Sequence, residues 1–281
     1  MPELPEVESV RRGLDDHATG RRIDHVAVRH PRAVRNHLSG PEGFVREVTG
    51  GHIDQVRRRG KFLWLVLADD ALVAHLGMSG QFRIHDPDEP VAAHTRLVFT
   101  MDDERELRFI DQRMFGGLAL VRDAAANPVP HIAPDPFDPD FCLPEVARGL
   151  RSRHTGVKRA ILDQSLVSGI GNIYADETLW RARLHFEHPT QRLSQQQAEE
   201  VLGHARDVMA EALDVGGTSF DSLYVNINGA SGYFARSLDA YGREAEPCRR
   251  CHTPLVRARF TNRSSYLCPQ CQRQPRGRRR A

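Results

Sequence analysis

Phe62-Leu63-Trp64-Leu65-Val66-Leu67-Ala68-Asp69-Asp70-Ala71-Leu72-Val73-Ala74-His75-Leu76 decides the architecture of the first half of this chain. Two apolar, β-prone runs flank the turn pair Asp69-Asp70, which is the pattern of an antiparallel hairpin. A second hairpin follows, with Leu97 to Met101 and Glu106 to Ile110 on either side of Asp102-Asp103-Glu104. Short runs of this kind fill Ile23 to Val121, and repeated hairpins predict an antiparallel β-sandwich. Ahead of it, Pro5 suits the first helical position, Glu6 and Glu8 suit the positive end, and Val7, Val10 and Leu14 share a face. A helix is expected there, stopping near Gly20.

Beyond the hairpins the pattern changes. Six prolines between Asn127 and Pro144 predict a stiff inter-domain connection. Ser194 with Gln197 reads as a capping box, and Ala198, Val201, Leu202, Ala205, Val208, Met209, Ala212 and Leu213 form a helical stripe that Gly216-Gly217 ends. That stripe is core packing. Two shorter helical patterns lie between Val157 and Trp180, separated by Ser168-Gly169-Ile170-Gly171-Asn172. The 281 residues suit about two domains, and 40% hydrophobic with 27% charged residues describes an ordinary globular chain. No uncharged apolar run approaches the roughly 18 residues of a membrane span, and the acidic start lacks the features of a signal peptide. Membrane insertion and secretion are not expected.

The net charge of +2 hides a division. Pro247 to Ala281 holds ten Arg and no acidic residue, while the other 246 residues sum to −8. Such a basic end is built to meet a polyanion, nucleic acid first. Four of those arginines sit in the terminal tail, where a disordered basic tail explains them. The other six lie in or beside a cysteine cluster. Cys248-x2-Cys251, sixteen intervening residues, then Cys268-x2-Cys271 is the spacing of a four-thiolate zinc site, with room for a β-hairpin between the pairs. Disulfides are the alternative, and the lone fifth Cys142 in an Arg-rich, non-secreted chain argues against them. Four closed ligands make the zinc structural.

Pro2 is the sharpest catalytic candidate. Removal of Met1 exposes a secondary amine, and an α-amine with a pKa of about 7.7–8.0 is partly unprotonated at neutral pH. Its attack on a sugar C1′ gives a cationic iminium that acts as an electron sink. Glu3 and Glu6 lie close by as carboxyls able to move protons. The plain alternative is that Pro2 and Pro5 only start a helix.

Pro2-Glu3-Leu4-Pro5-Glu6-Val7-Glu8 resembles the amino terminus of the bacterial formamidopyrimidine-DNA glycosylase family. So do Arg58-Arg59-Gly60-Lys61, His75-Leu76-Gly77-Met78-Ser79-Gly80, Asp111-Gln112-Arg113-Met114-Phe115-Gly116 and Gly169-Ile170-Gly171-Asn172-Ile173-Tyr174-Ala175, in family order, ahead of the cysteine finger. The resemblance implies an α+β multidomain protein. Its parts are an N-terminal catalytic helix and β-sandwich (1–130), a Pro-rich linker (131–148), a helix–two-turn–helix domain (149–242), a zinc finger hairpin (243–273) and a basic tail (274–281). DNA is expected to run in the cleft between the domains.

Residue by residue, the resemblance makes Pro2 the Schiff-base nucleophile and Glu3 the general acid on the opening sugar. It makes Lys61 the proton donor for β-elimination and assigns Arg263 to δ-elimination. Lys61 is one of only two Lys beside 37 Arg, and an ammonium exchanges protons near neutrality far better than a guanidinium. A phosphate clamp with Arg57, Arg58 and Arg59 is the alternative, and Arg263 reads first as a clamp on the lesion's phosphate. Met78, Arg113 and Phe115 resemble an insertion wedge that fills the space left by a flipped nucleotide. Met114 departs from the basic residue often found there, which puts one phosphate contact in doubt. Asn172 is expected to cap the following helix while the amides there hold a phosphate. His94 and Arg153 are further DNA contacts, His75 is either a phosphate contact or a satisfied core residue, and Asn226 to Tyr233 is expected as a loop over the extruded base.

The expected activity is removal of oxidised purines from duplex DNA with strand cutting at the abasic site, by one monomeric, zinc-containing, cytoplasmic and nucleoid-associated bacterial chain. Two rivals remain. An endonuclease VIII-like enzyme for oxidised pyrimidines usually begins Pro-Glu-Gly-Pro-Glu, against Leu4 here. A silent zinc-containing DNA-binding protein needs neither Pro2 nor Glu3.

Overall fold

The computed structural model describes residues 2–215 and 237–275, and every structural statement below concerns these. The helix stop at Gly216-Gly217, the loop at Asn226 to Tyr233 and the Arg-rich tail lie outside the described residues. Two compact units result, one built on residues 2–130 and the other on 131–212 and 237–275.

In the first unit, α1 (Leu4–Ala18) begins one residue earlier than the sequence suggests, so Pro5 takes the second helical position. The reason is Glu3. As N-cap it forms a reciprocal capping box with Glu6, which sets the start from outside the proline. Gly20, at φ +82°, turns the chain after the helix. Then come β1 (Ile23–Val28), a 3-10 turn (Pro31–Val34), α2 (Gly40–Val48), β2 (Gln55–Arg59), β3 (Phe62–Leu67), β4 (Asp70–His75), β5 (Gly80–His85), β6 (Thr95–Met101), β7 (Glu106–Asp111) and β8 (Gly117–Val121). Both expected hairpins form, with Leu67 opposite Asp70 and Thr100 opposite Glu106.

The strands make two four-stranded antiparallel sheets, ordered β1-β6-β7-β5 and β2-β3-β4-β8. Leu63, Leu65, Leu72 and Ala74 from one sheet share a core with Phe82, Leu97, Phe99, Leu107 and Phe109 from the other, and Val7, Val10 and Leu14 of α1 belong to it. This is the sandwich that alternation alone would not show. β3 is apolar throughout because its second face is covered too: Trp64 is buried there and its indole N–H donates to the Ala125 carbonyl at 3.0 Å.

The second unit holds α3 (Leu143–Ser152), α4 (Val157–Ile161), α5 (Asn172–Arg181) and α6 (Gln195–Asp214), then the antiparallel hairpin β9 (Val256–Phe260) and β10 (Arg263–Leu267). α3 starts inside the proline-rich stretch, with Pro144 in its first turn, where a missing N–H costs nothing. Both arms of the Ser194–Gln197 capping box are made, at 2.9 and 3.1 Å, and the stripe from Ala198 to Ala212 is buried. No described helix is long and apolar enough to cross a membrane.

Candidate active site and metal centre

Pro2 and Glu3 are buried at the amino end of α1, and the Glu6 carboxylate accepts the Glu3 N–H at 2.8 Å. The amino end of a helix carries partial positive charge, which suits carboxylates at that position. One turn on, Glu8 binds Arg58 at 2.9 Å with both side chains largely buried. Of the arginines beside Lys61, Arg58 is therefore turned inward as a brace between β2 and α1. Lys61 occupies the two-residue turn Gly60-Lys61, since Arg59 pairs with Phe62, and Gly60 at φ +57° supplies the conformation this turn needs.

His75 lies opposite Phe62 with ring centroids 4.8 Å apart. Burial first, then the charges of Lys61 and Arg35, hold its pKa below the usual imidazole value. Its Nδ1 accepts the Gly77 N–H at 3.1 Å, so the neutral ring carries its proton on Nε2. His75 is thus partly satisfied within the fold and still presents a donor.

Met78 lies in the turn between β4 and β5, and Arg113 and Phe115 lie in the turn between β7 and β8. Gly77 brings the two turns into contact: a Cβ there would fall 2.4 Å from Gly116 N. Phe115 is 48% exposed, unusual for a large apolar side chain, and the Arg113 guanidinium sits 5.6 Å from its ring centroid. The turn's carbonyls are gripped by two arginines that sequence reading did not single out. Arg35 donates to Phe115 O and Gly116 O at 2.9 and 2.6 Å, and Arg32 donates to Met114 O at 3.2 Å. His94 is exposed and 3.3 Å from Arg96.

In the second unit, Asn172 does not cap α5. Gly171 is the N-cap, Asn172 is the first helical residue, and its Nδ2 donates to the Ser264 carbonyl at 3.0 Å. The side chain spans to the finger hairpin instead of folding back on its own helix, which ties Asn172 to the residue next to Arg263. Arg263 opens β10, exposed beside the turn Thr261-Asn262, and lines an open cleft with Arg159, Asp163 and Phe260. Arg153 is paired with Asp163 at 3.3 Å across half-exposed side chains, a contact that solvent screens.

Beneath Asn172 is a buried ion pair with no counterpart in the sequence reading. Lys158 and Asp176 are 0% and 1% exposed and meet at 2.6 Å. The Asp176 carboxylate also accepts from Ser265 Oγ at 2.7 Å and Tyr266 N at 3.0 Å, while the Lys158 ammonium lies 4.7 Å from the Phe260 ring centroid. Burial pushes the Asp176 carboxyl up, and the Lys158 charge opposes it. Its neighbour Glu177 accepts the N–H groups of Asp239, Ala240 and Tyr241. Two adjacent carboxylates of α5 therefore hold the segment that enters the finger and its second strand. Asp176→Ala removes the carboxylate opposite a buried ammonium and should cost about 3–5 kcal/mol in chemical denaturation. Replacing both members with apolar residues of similar volume should recover much of the loss; an unchanged denaturation midpoint in the single variant would contradict this account.

The four cysteines of the finger come together. Their sulfurs all lie within 4.8 Å of one another, with Cys251 to Cys268 at 3.4 Å and Cys251 to Cys271 at 3.5 Å. A tetrahedral zinc with bonds of about 2.3 Å spaces its sulfurs by about 3.8 Å. All five cysteines are free thiols, and Cys142 is exposed and apart. Hydrogen bonds from Thr253 hold Cys251 down at about 6, whereas burial and then the neighbouring sulfurs push Cys271 up to about 12. Four thiolates this close need a cation, so Cys248, Cys251, Cys268 and Cys271 fit one structural zinc ion. Trp180 of α5 backs the cluster, with the Arg250 guanidinium stacked 3.7 Å over its ring and donating to its carbonyl.

The comparisons with known proteins agree along the whole chain. Residues 1–118 match the formamidopyrimidine-DNA glycosylase N-terminal domain, 132–223 its H2TH domain, and 245–274 the zinc finger found in FPG and IleRS. A formamidopyrimidine-DNA glycosylase of a Nocardioides species is 57% identical over 100% of this chain and 97% of its own length. That of Streptomyces coelicolor is 57% identical over 98% and 99%. Among solved structures, a Lactococcus lactis FPG variant in complex with Fapy-dG DNA aligns with a TM-score of 0.89 at 33% identity, covering 97% of this chain and 100% of that one. The L. lactis enzyme with abasic-site DNA aligns at 0.88 and 32%, with the same coverage. With its capped helix and sandwich, its α5-mounted thiolate finger and these matches in order from end to end, the chain belongs to the formamidopyrimidine-DNA glycosylase family.

Proposed function

We propose that this chain removes oxidised purines, 8-oxoguanine and formamidopyrimidines among them, from duplex DNA and then cuts the strand at the abasic site. The observation that carries this reading is Pro2-Glu3 buried at the capped end of α1, in a chain that also holds the family's finger. A binding module needs no buried secondary amine beside a carboxyl.

With Met1 removed, the Pro2 nitrogen attacks C1′ of the damaged nucleotide, and the C1′–N bond electrons leave with the base, which takes up a proton. Glu3 donates a proton to the ring oxygen as the sugar opens, and the C1′–nitrogen linkage becomes an iminium. That cation acidifies the 2′ carbon; loss of a 2′ proton expels the 3′ phosphate, and a second elimination expels the 5′ phosphate. We assign Lys61, in its turn beside His75, to proton transfer in the first elimination. Arg263 holds the lesion's phosphate and so lowers the cost of expelling it, a task suited to a fixed guanidinium fork. Asn172, His94 and Arg153 contribute to DNA binding, Asn172 by bracing Ser264. Met78, Arg113 and Phe115 fill the space left by the extruded nucleotide; the half-exposed Phe115 ring is what such a wedge requires.

Every residue named lies on one chain, so the monomer is the proposed active unit, with 1–130 catalytic, 149–242 binding DNA and 243–273 forming the finger. Its relatives are bacterial, and a DNA substrate supports assigning it to the cytoplasm with the nucleoid. Borohydride trapping on duplexes carrying 8-oxoguanine opposite cytosine, an oxidised pyrimidine, or no damage tests the substrate class. Trapping is expected to be strongest on 8-oxoguanine and absent from undamaged DNA. Strongest trapping on the pyrimidine lesion would support the endonuclease VIII-like reading instead.

A further inference from the structure

We propose that Asp111 and Ser79 form a latch that sets the position of the insertion wedge, and through it the enzyme's discrimination of a stacked lesion from a site without a base. The inference rests on the wedge reading of Met78, Arg113 and Phe115 above.

Asp111 and Ser79 are 1% and 3% exposed; Asp111 ends β7, and Ser79 lies in the turn between β4 and β5. The Gly116 N–H donates to Asp111 Oδ2 at 2.7 Å. The Ser79 hydroxyl donates to Asp111 Oδ1 at 2.5 Å and accepts the Arg113 N–H at 2.9 Å. One carboxylate therefore fastens both ends of the Arg113-to-Phe115 turn, directly on one side and through a hydroxyl on the other. It also reaches the β4–β5 turn, because Ser79 follows Met78. The latch has a fixed base: Asp111 N–H donates to His94 O at 2.9 Å, and Arg96 Nε donates to Asp111 O at 2.8 Å.

Only a carboxylate satisfies this arrangement. It receives two donors on two oxygens, and an Asn side chain would present an NH2 to one of them. If that amine faced Gly116, two donors would meet. If it faced Ser79, the hydroxyl would accept twice and its own proton would be left without a partner in a buried site. Ser79→Ala is the gentler change, since it frees the Arg113 amide and leaves the Gly116 bond intact. A wedge held in place before DNA arrives need not be ordered while the base is being unstacked. Loss of the latch should therefore slow the step that extrudes a base and spare the chemistry that follows.

The test measures single-turnover cleavage of an 8-oxoguanine–cytosine duplex and of a pre-formed abasic duplex by the same preparations of wild type, Ser79→Ala, Asp111→Asn, Arg113→Ala and Ser79→Ala combined with Arg113→Ala. Ser79→Ala should slow lesion cleavage about tenfold, the worth of one buried hydrogen bond, and abasic cleavage less than about threefold. Asp111→Asn should lose more on the lesion with the same selectivity. In the Arg113→Ala background Ser79→Ala should add less than about twofold, because the latch acts through Arg113. The amplitude of abasic cleavage reports the correctly folded fraction of each preparation, and the comparisons are made on the single-turnover rate constants. If Arg113→Ala is selective for the lesion but Ser79→Ala and Asp111→Asn impair both duplexes alike, impair neither, or add in full to Arg113→Ala, the latch is overturned and the wedge stands. If Arg113→Ala itself impairs both duplexes alike, the wedge reading fails and the latch with it.

Discussion

Protein with Met1 retained, or with one residue added before Pro2, binds lesion DNA but forms no borohydride-stable adduct and cuts no strand. The reason is electronic. Acylation turns the Pro2 amine into an amide whose lone pair is delocalised into the carbonyl, so no C1′–nitrogen bond can form. The rest of the protein need not change, because the capping box between Glu3 and Glu6 starts α1 without help from the terminal nitrogen. Losing the nucleophile should lower turnover by at least about a thousandfold, since the covalent step divides one difficult displacement into two easier ones. Intact mass identifies the blocked form, and affinity for an uncleavable abasic analogue should change little. Undiminished trapping by a verified blocked terminus would contradict the assignment of Pro2.

Removal of the zinc has the second large effect, on binding. Thiolate ligation supplies on the order of 10–16 kcal/mol to domains of this type, far more than the short β9–β10 hairpin can supply itself. Cys248→Ser should release the metal and disorder the segment that carries Arg263, while the sandwich keeps its own core. Metal analysis should find about one zinc per wild-type chain and none in the variant, and DNA affinity should fall with a shallower salt dependence as phosphate contacts are lost. Because Cys271 is pushed up to about 12 in the metal-free cluster, zinc binding must displace protons, so its affinity weakens as pH falls. Zinc-free wild-type protein with a folded finger and disulfide-bonded cysteines would overturn this part of the account.

The hairpins, the α6 stripe, its capping box and the thiolate finger were legible because each is written locally. Turn pairs at Asp69-Asp70, a Ser three residues before a Gln, and two C-x2-C pairs specify their geometry within a few residues. What stayed hidden is what distant residues do to one another. Pro5 takes the second helical position because Glu3, as N-cap, pairs with Glu6 and starts the helix ahead of the proline. Asn172 left its own helix because Ser264 offers a carbonyl that only the tertiary fold brings near. The Lys158–Asp176 pair needs Ser265, 89 residues away from Asp176, and no periodicity announces such a contact. One signal was available: Lys158 is the other of the two lysines, and its rarity could have marked it as Lys61 was marked. Asp111 and Ser79 stood in quoted motifs, yet their bond across 32 residues became visible only when the sandwich placed the two turns together. Arg108, fully buried and donating to the carbonyls of Glu89 and Pro90, was not singled out in sequence.

If the chain's terminal proline is the atom that bonds to the damaged sugar, peptide mapping of the trapped complex will find the sugar on it. The protein is reacted with an 8-oxoguanine duplex, reduced with borohydride, digested with nuclease and protease, and sequenced by tandem mass spectrometry. The sugar remnant is expected on the nitrogen of Pro2, in the peptide that begins Pro2-Glu3-Leu4-Pro5. An adduct on Lys61 or Lys158, with an unmodified Pro2 peptide, would contradict it.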